Sequence, residues 1–113
     1  MEFDKIKAEV KKIEQEMTRI DNDNYFEAVI ADVRLEGLVA VLEGIFGAPV
    51  WPSDRKLPKD TEKLIKDAGG LRKGQTLYLL NNESGCSAFA MLWPWQNGER
   101  ITVKISLIPK GGI

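Results

Sequence analysis

The first twenty residues place apolar side chains at the spacing of a helical stripe. Intervals of three and four residues separate these positions, which are Phe3, Ile6, Val10, Ile13, Met17 and Ile20. This is the a/d repeat of a coiled coil, and the positions between are mostly good helix formers. The pattern predicts a helix over residues 3–20 with a narrow apolar stripe. The stripe packs either on the next helix of a hairpin or on the same helix of a second copy.

The second interpretation turns the stripe into a dimer interface. Its central residues would form the contact, and they are Ile6, Val10, Ile13 and Met17. In both interpretations we expect the helix to stop at residues 21–24, Asp-Asn-Asp-Asn, because short polar side chains compete for backbone hydrogen bonds and favour a turn.

Residues 25–46 contain two apolar patterns that point in different directions. The first has helical spacing and comprises Phe26, Val29, Ile30 and Val33. The apolar residues between Leu35 and Phe46 fill a largely opposite sector. We expect a helix held between two neighbours, a helix broken near 32–36, or a strand over 25–31 followed by a helix with Asp32 as its N-cap. Gly47 is the expected end of the helix.

The remainder of the chain predicts a connector, a short helix and three antiparallel strands. Three prolines hold residues 48–58 extended, and a helix fits 59–68 before two glycines. Apolar runs separated by turn residues then predict strands over 75–80, 87–95 and 99–108. The last of these alternates apolar and polar residues, as expected of a strand with one solvated face.

The turn between the last two strands has two possible registers. A two-residue turn at Asn97-Gly98 pairs Trp93 with Thr102, whereas a three-residue loop pairs Trp93 with Ile101. A slip of one residue moves every side chain to the other face of the sheet. Only the second register turns the large side chains toward a single core, and burying each is worth roughly 2–3 kcal/mol, so we predict the three-residue loop.

These elements predict one α+β domain spanning residues 1–113. Two or three N-terminal helices, in residues 1–68, would pack on one face of a three- or four-stranded antiparallel β-meander, in residues 75–108. A chain of 113 residues has the usual size of one domain.

Composition excludes most catalytic chemistry. The chain contains no histidine and one cysteine, Cys86, which removes Ser-His and Cys-His pairs and the histidine-based zinc sites. A lone cysteine fits a reducing, cytoplasmic compartment, and no apolar run is long enough to span a membrane. We therefore predict a non-catalytic protein without metal or cofactor.

Charge is divided unevenly along the chain. Residues 1–50 carry 6 basic and 11 acidic side chains, and residues 51–113 carry 10 basic and 6 acidic ones. Contact with an anion or a nucleic acid would use Arg55, Lys56, Lys59, Arg72 and Lys73. Because these side chains do not form a dense basic stripe, we do not expect a nucleic-acid partner.

Two functions are favoured, and contact with an anion or a nucleic acid stays a weaker third alternative. The first is a binding or assembly module that acts as a homodimer or with another protein, which the helical stripe favours. The alternative is a small-ligand-binding protein with a pocket between the helices and the sheet. Aromatic side chains would frame that pocket, and they are Trp51, Tyr78, Trp93 and Trp95.

Overall fold

The computed structural model describes residues 3–51, 63, 66, 74–80 and 87–108. Its elements, in chain order, are α1 (Phe3–Lys11), β1 (Met17–Asp21), β2 (Tyr25–Ala31), α2 (Leu35–Phe46), β3 (Thr76–Leu80), β4 (Ala88–Pro94) and β5 (Arg100–Leu107). The five strands form one antiparallel sheet in the order β1-β2-β5-β4-β3. The α+β class and the antiparallel sheet are confirmed. The sheet has five strands instead of three or four: β3, β4 and β5 form the predicted meander, and the hairpin of β1 and β2 extends it beside β5.

The first helix is shorter than the apolar spacing predicts. Helix α1 ends at Lys11, and the segment Met17–Asp21 is the strand β1, paired with β2. The polar cluster after it forms the β1–β2 turn, where the Asn22 side-chain oxygen accepts the backbone N–H groups of Asn24 and Tyr25. Pairing with β2 therefore overrides the helix propensity of this segment.

The region that left three alternatives open contains a strand followed by a helix. Strand β2 occupies Tyr25–Ala31, and a 3-10 turn over Asp32–Arg34 leads into α2. Asp32 therefore lies in this turn and does not cap α2 directly. Gly47 ends the helix with φ +80°, a left-handed conformation that glycine adopts without strain. Of the predicted third helix, only Lys63 and Lys66 lie among the described residues, and both are helical.

The helices cover one face of the sheet, which we call the helix face. Its buried side chains alternate along the strands and meet apolar residues of α1 and α2. They include Phe26, Ala28, Ile30, Ala90, Leu92, Ile101, Val103 and Ile105 from the sheet, with Ile6, Val10, Leu38 and Leu42 from the helices. This is the larger of the two apolar clusters in the described part of the chain.

The opposite face, which we call the second face, holds a separate cluster. Leu77, Phe89 and Met91 are buried there, packed against partly buried neighbours that include Val50, Trp51, Leu79, Trp93 and Ile108. The backbone of Trp51 forms a bridge with Leu77 beside β3. Both faces of this half of the sheet are therefore covered.

The second cluster explains why the predicted β4–β5 register is wrong. Trp93 pairs with Thr102 and Met91 with Lys104, which is the register of the shorter turn. If only one face of the sheet is covered, the large side chains of β4 must lie on the helix face to be buried. The second face is also buried at β3 and β4, so Met91 and Trp93 gain similar burial there. Burial therefore no longer favours the register of the three-residue loop.

No helix within the described ranges is long and apolar enough to cross a membrane.

Candidate functional site

The structure does not bring the four predicted pocket residues together. Tyr78 lies on the helix face, 2% exposed, with its ring centroid 6.3 Å from that of Phe46. Trp51 and Trp93 belong to the cluster on the second face. Trp95 follows β4 at the β4–β5 hairpin. The sheet itself separates Tyr78 from the tryptophans, so these rings do not line one wall.

The four predicted interface residues are also separated. Ile6 and Val10 are buried in the helix-face core, and Ile13 packs against that core as a partly buried residue. Met17 is different, since it lies on β1 and is 56% exposed. Of the predicted set, Met17 is therefore the side chain most available to a partner.

The predicted anion-binding residues cannot be placed by the structure. These five residues lie outside the described part of the chain: Arg55, Lys56, Lys59, Arg72 and Lys73. Cys86 lies outside it as well.

The exposed strand β1 is the strongest candidate for a contact surface. It lies at one end of the sheet, and all five of its residues, Met17–Asp21, are exposed. Met17 pairs with Val29 and Ile20 with Glu27, two positions apart on β2, because the register shifts between Thr18 and Ile20. The shift is a β-bulge, and it puts Met17 and Ile20 on the same side of the sheet although they are three positions apart in the sequence. We call Met17–Asp21 the β1 edge.

A polar cluster on the second face contacts Arg19 of the β1 edge. The Tyr25 hydroxyl donates a hydrogen bond to Glu27 at 2.6 Å, and the Arg19 guanidinium lies 3.4 Å from the same carboxylate. Burial of the Tyr25 hydroxyl and its hydrogen bond to Glu27 raise the pKa of Tyr25 above its usual value. These contacts hold Arg19 at the bulge.

Two lysines of α1 bind Asp21, the last residue of the β1 edge. The Lys7 ammonium donates to Asp21 Oδ1 at 3.0 Å and to the Asn22 carbonyl at 2.8 Å, while Lys11 donates to Asp21 Oδ2. The hydrogen bonds from Lys11 and Lys7 hold the pKa of Asp21 below its usual value. Together these three side chains carry one net positive charge.

The hairpin between β4 and β5 carries a second feature. The Trp95 indole N–H donates to Thr102 Oγ1 at 3.0 Å, and the Arg100 guanidinium carbon lies 5.9 Å from the centroid of the Trp95 ring. Arg100 is in turn bound by Glu16, with Nε–oxygen distances of 3.1 and 3.2 Å. A shallow, open depression of about 490 Å³ is lined by Pro94, Trp95, Gln96 and Asn97.

Sequence reasoning missed the β1 edge because Met17 and Ile20 continue the helical stripe of α1. The available signal was the Asp-Asn-Asp-Asn turn, which lies between two stretches that contain β-branched residues. Two strands joined by a short polar turn are a hairpin. In this sequence the bulge hides the alternation that identifies a strand.

No protein-family model, curated protein or solved structure matches this chain.

Proposed function

We propose that the protein is a non-catalytic binding and assembly module that forms a homodimer through the β1 edge. One observation carries this proposal: Met17 and Ile20, 56% and 40% exposed, lie on the same side of the strand that ends the sheet. A terminal strand presents backbone groups to a further strand, and apolar side chains beside it add to the gain from pairing.

The β1 edge is complementary to itself. An antiparallel pair of β1 strands with the two-fold axis between Thr18 and Arg19 places Met17 of each copy opposite Ile20 of the other. This register removes both exposed apolar side chains from water in each half of the interface. Cross-strand apolar pairs of this kind are each worth roughly 0.2–1 kcal/mol beyond an alanine pair.

Charge favours the same arrangement. In this register Glu16 of one copy faces Asp21 of the other. Asp21 is bound to Lys7 and Lys11 in a group of net charge +1, whereas Glu16 shares Arg100 with Glu99 in a group of net charge −1, so the two groups attract each other. The Lys11 side chain is 42% exposed and accessible to a neighbouring carboxylate. The two-fold contact occupies the β1 edge of both copies, which favours a closed dimer over a fibre.

The non-catalytic part of the proposal rests on composition. The absence of histidine and the presence of a single cysteine remove the commonest nucleophile–base pairs. The same cysteine content suits a reducing, cytoplasmic compartment.

Equilibrium sedimentation from about 1 µM to about 1 mM tests the proposal. We expect wild-type protein to approach twice the 12.7 kDa chain mass as its concentration rises. Met17→Lys/Ile20→Lys should remain monomeric with an unchanged circular-dichroism spectrum. The control is Val33→Lys, because Val33 is 85% exposed and lies in the 3-10 turn before α2 instead of on β1, and this variant should dimerise like wild type. A wild-type mass of one chain across the whole range would refute the proposal.

A further inference from the structure

We propose that the β4–β5 hairpin is a second binding site, which takes a neutral, hydroxyl-rich ring such as a pyranose unit of an oligosaccharide. The site is the depression lined by Pro94, Trp95, Gln96 and Asn97, with a volume of about 490 Å³. None of these lining residues belongs to the β1 edge, although Glu16, which precedes that edge, binds Arg100 beside Trp95.

The Trp95 indole is held as a fixed platform. Its N–H donates to Thr102 Oγ1 at 3.0 Å, and Arg100 lies over the ring at 5.9 Å from the centroid. Arg100 itself is fixed by Glu16 at 3.1 Å. Because the ring is already ordered and half-buried, stacking a ligand on it requires little loss of side-chain freedom.

The chemistry of the lining residues selects a neutral ligand. None of the four carries a formal charge, and the nearby charge of Arg100 is engaged by Glu16 and by Glu99 at 3.6 Å. An anion therefore finds its closest cation already paired with two carboxylates. This arrangement disfavours phosphates and carboxylates as ligands.

The polar groups around the platform suit hydroxyls. The amides of Gln96 and Asn97 offer both donors and acceptors. Asn97 Oδ1 accepts the backbone N–H of Glu99 at 2.9 Å, which orients the Asn97 amide and directs its N–H₂ group to other acceptors. A pyranose presents C–H groups on one face and hydroxyls around its rim, so it matches an indole surface bordered by amides.

The open shape of the depression argues against an enclosed apolar ligand. Pockets for small apolar molecules usually bury 70–90% of the ligand. A shallow site with one aromatic platform instead suits one unit of a chain that stays in solvent. We expect weak binding, with Kd on the order of 1 mM per site.

The three tryptophans provide an internal control for the test. Indole N–H signals in ¹H–¹⁵N NMR spectra report on Trp51, Trp93 and Trp95 separately. Uniformly labelled full-length protein is titrated with maltotriose, cellotriose and N,N′,N″-triacetylchitotriose to about 50 mM, and with uridine and sulfate. We expect a saturable shift of the Trp95 signal with at least one trisaccharide, while the Trp51 signal stays in place.

Two variants separate a specific site from a general effect. Gln96→Ala should weaken the titration at least three-fold, whereas Asn24→Ala, which removes an exposed amide at the β1–β2 turn, should leave it unchanged. The absence of a saturable Trp95 shift with all three trisaccharides would overturn the proposal. A shift caused only by uridine or sulfate, or one that Gln96→Ala leaves untouched, would overturn it as well.

Discussion

The ammonium of Lys104 lies 3.8 Å from the centroid of the Trp93 ring, within range of a strong cation–π contact. The same indole keeps its Nε1 atom buried without a hydrogen-bond partner. Trp93 therefore stabilises the second face through its ring and destabilises it through its N–H group. Burial of the amine lowers the pKa of Lys104, which shows that desolvation is also significant on the cation side.

Trp93→Phe should change the free energy of unfolding by less than about 1 kcal/mol. The smaller ring loses contact area and weakens the contact with Lys104, but the substitution also removes a buried donor whose lack of a partner costs about 1–3 kcal/mol. Trp93→Ala should cost about 2 kcal/mol or more, since it loses the ring altogether. Urea unfolding followed by circular dichroism measures both. Equal destabilisation of the two variants would contradict this prediction. It would mean that removal of the indole N–H brings no gain, as expected if that group has a hydrogen-bond partner in solution.

Asp21→Asn should lower the free energy of unfolding at pH 7 by about 1 kcal/mol. The substitution removes the charge that binds Lys7 and Lys11, and we discount the full value of a charged hydrogen bond because Asp21 is exposed. The pKa of Asp21 is lowered in the folded state, so its contribution is present above about pH 4 and is lost as the pH falls through the folded pKa. The difference between wild type and variant should therefore shrink toward pH 2.

Asp23→Asn is the matched control for this prediction. Asp23 lies in the same turn, and removal of its charge should leave the free energy of unfolding, measured with urea, within about 0.5 kcal/mol of wild type at pH 7. Equal losses in the two variants would point to overall charge, not to the tie between α1 and β1, as the cause.

Tyr25→Phe should make stability less sensitive to alkaline pH. Burial and the Glu27 carboxylate raise the pKa of Tyr25 in the folded state above the value of about 10 in an unfolded chain. Folded protein therefore keeps a proton that unfolded protein loses, and stability falls as the pH rises above about 10. The urea midpoint of the variant should decline less steeply than that of wild type between about pH 9 and about pH 11. Parallel slopes would contradict the assignment.

Two glycine-to-alanine substitutions should have opposite signs. Gly98 has φ +71° at the β4–β5 turn, so alanine there should cost about 1 kcal/mol of stability. Gly44 lies inside α2, and the space that an alanine methyl group would occupy has no neighbouring atom within 4 Å, so alanine there should stabilise the protein by about 0.5 kcal/mol. Thermal unfolding measures both changes. A stabilising Gly98→Ala would show that the turn has a different conformation in solution.

The sequence predicted those parts of the fold that depend on local pattern. Strand β5 alternates cleanly at Ile101, Val103 and Ile105, and these side chains are buried as expected of one strand face. The strand–helix interpretation of residues 25–46 also follows from local signals. In each case neighbouring residues along the chain contain the needed information.

The parts that failed depend on contacts between distant residues. Met17 and Ile20 fit a helical stripe as well as a bulged strand, and only pairing with β2 decides between them. The position of Trp93 depends on whether a second layer covers β4, which a pattern within β4 and β5 does not reveal. For the candidate sites, the sequence identified Met17 and Trp95 as binding residues. It did not predict that Met17 lies on an exposed edge strand or that Trp95 lines a depression at the β4–β5 hairpin.

The strand order has a consequence for biosynthesis. Strand β5 is the last strand described along the chain, yet it occupies the middle of the sheet between β2 and β4. A nascent chain on the ribosome cannot join its two sheet halves until residues 100–107 have emerged from the exit tunnel. Until then β2 lacks one neighbour and exposes backbone groups and apolar side chains that attract other chains. The complete sheet can therefore form only after β5 has been made.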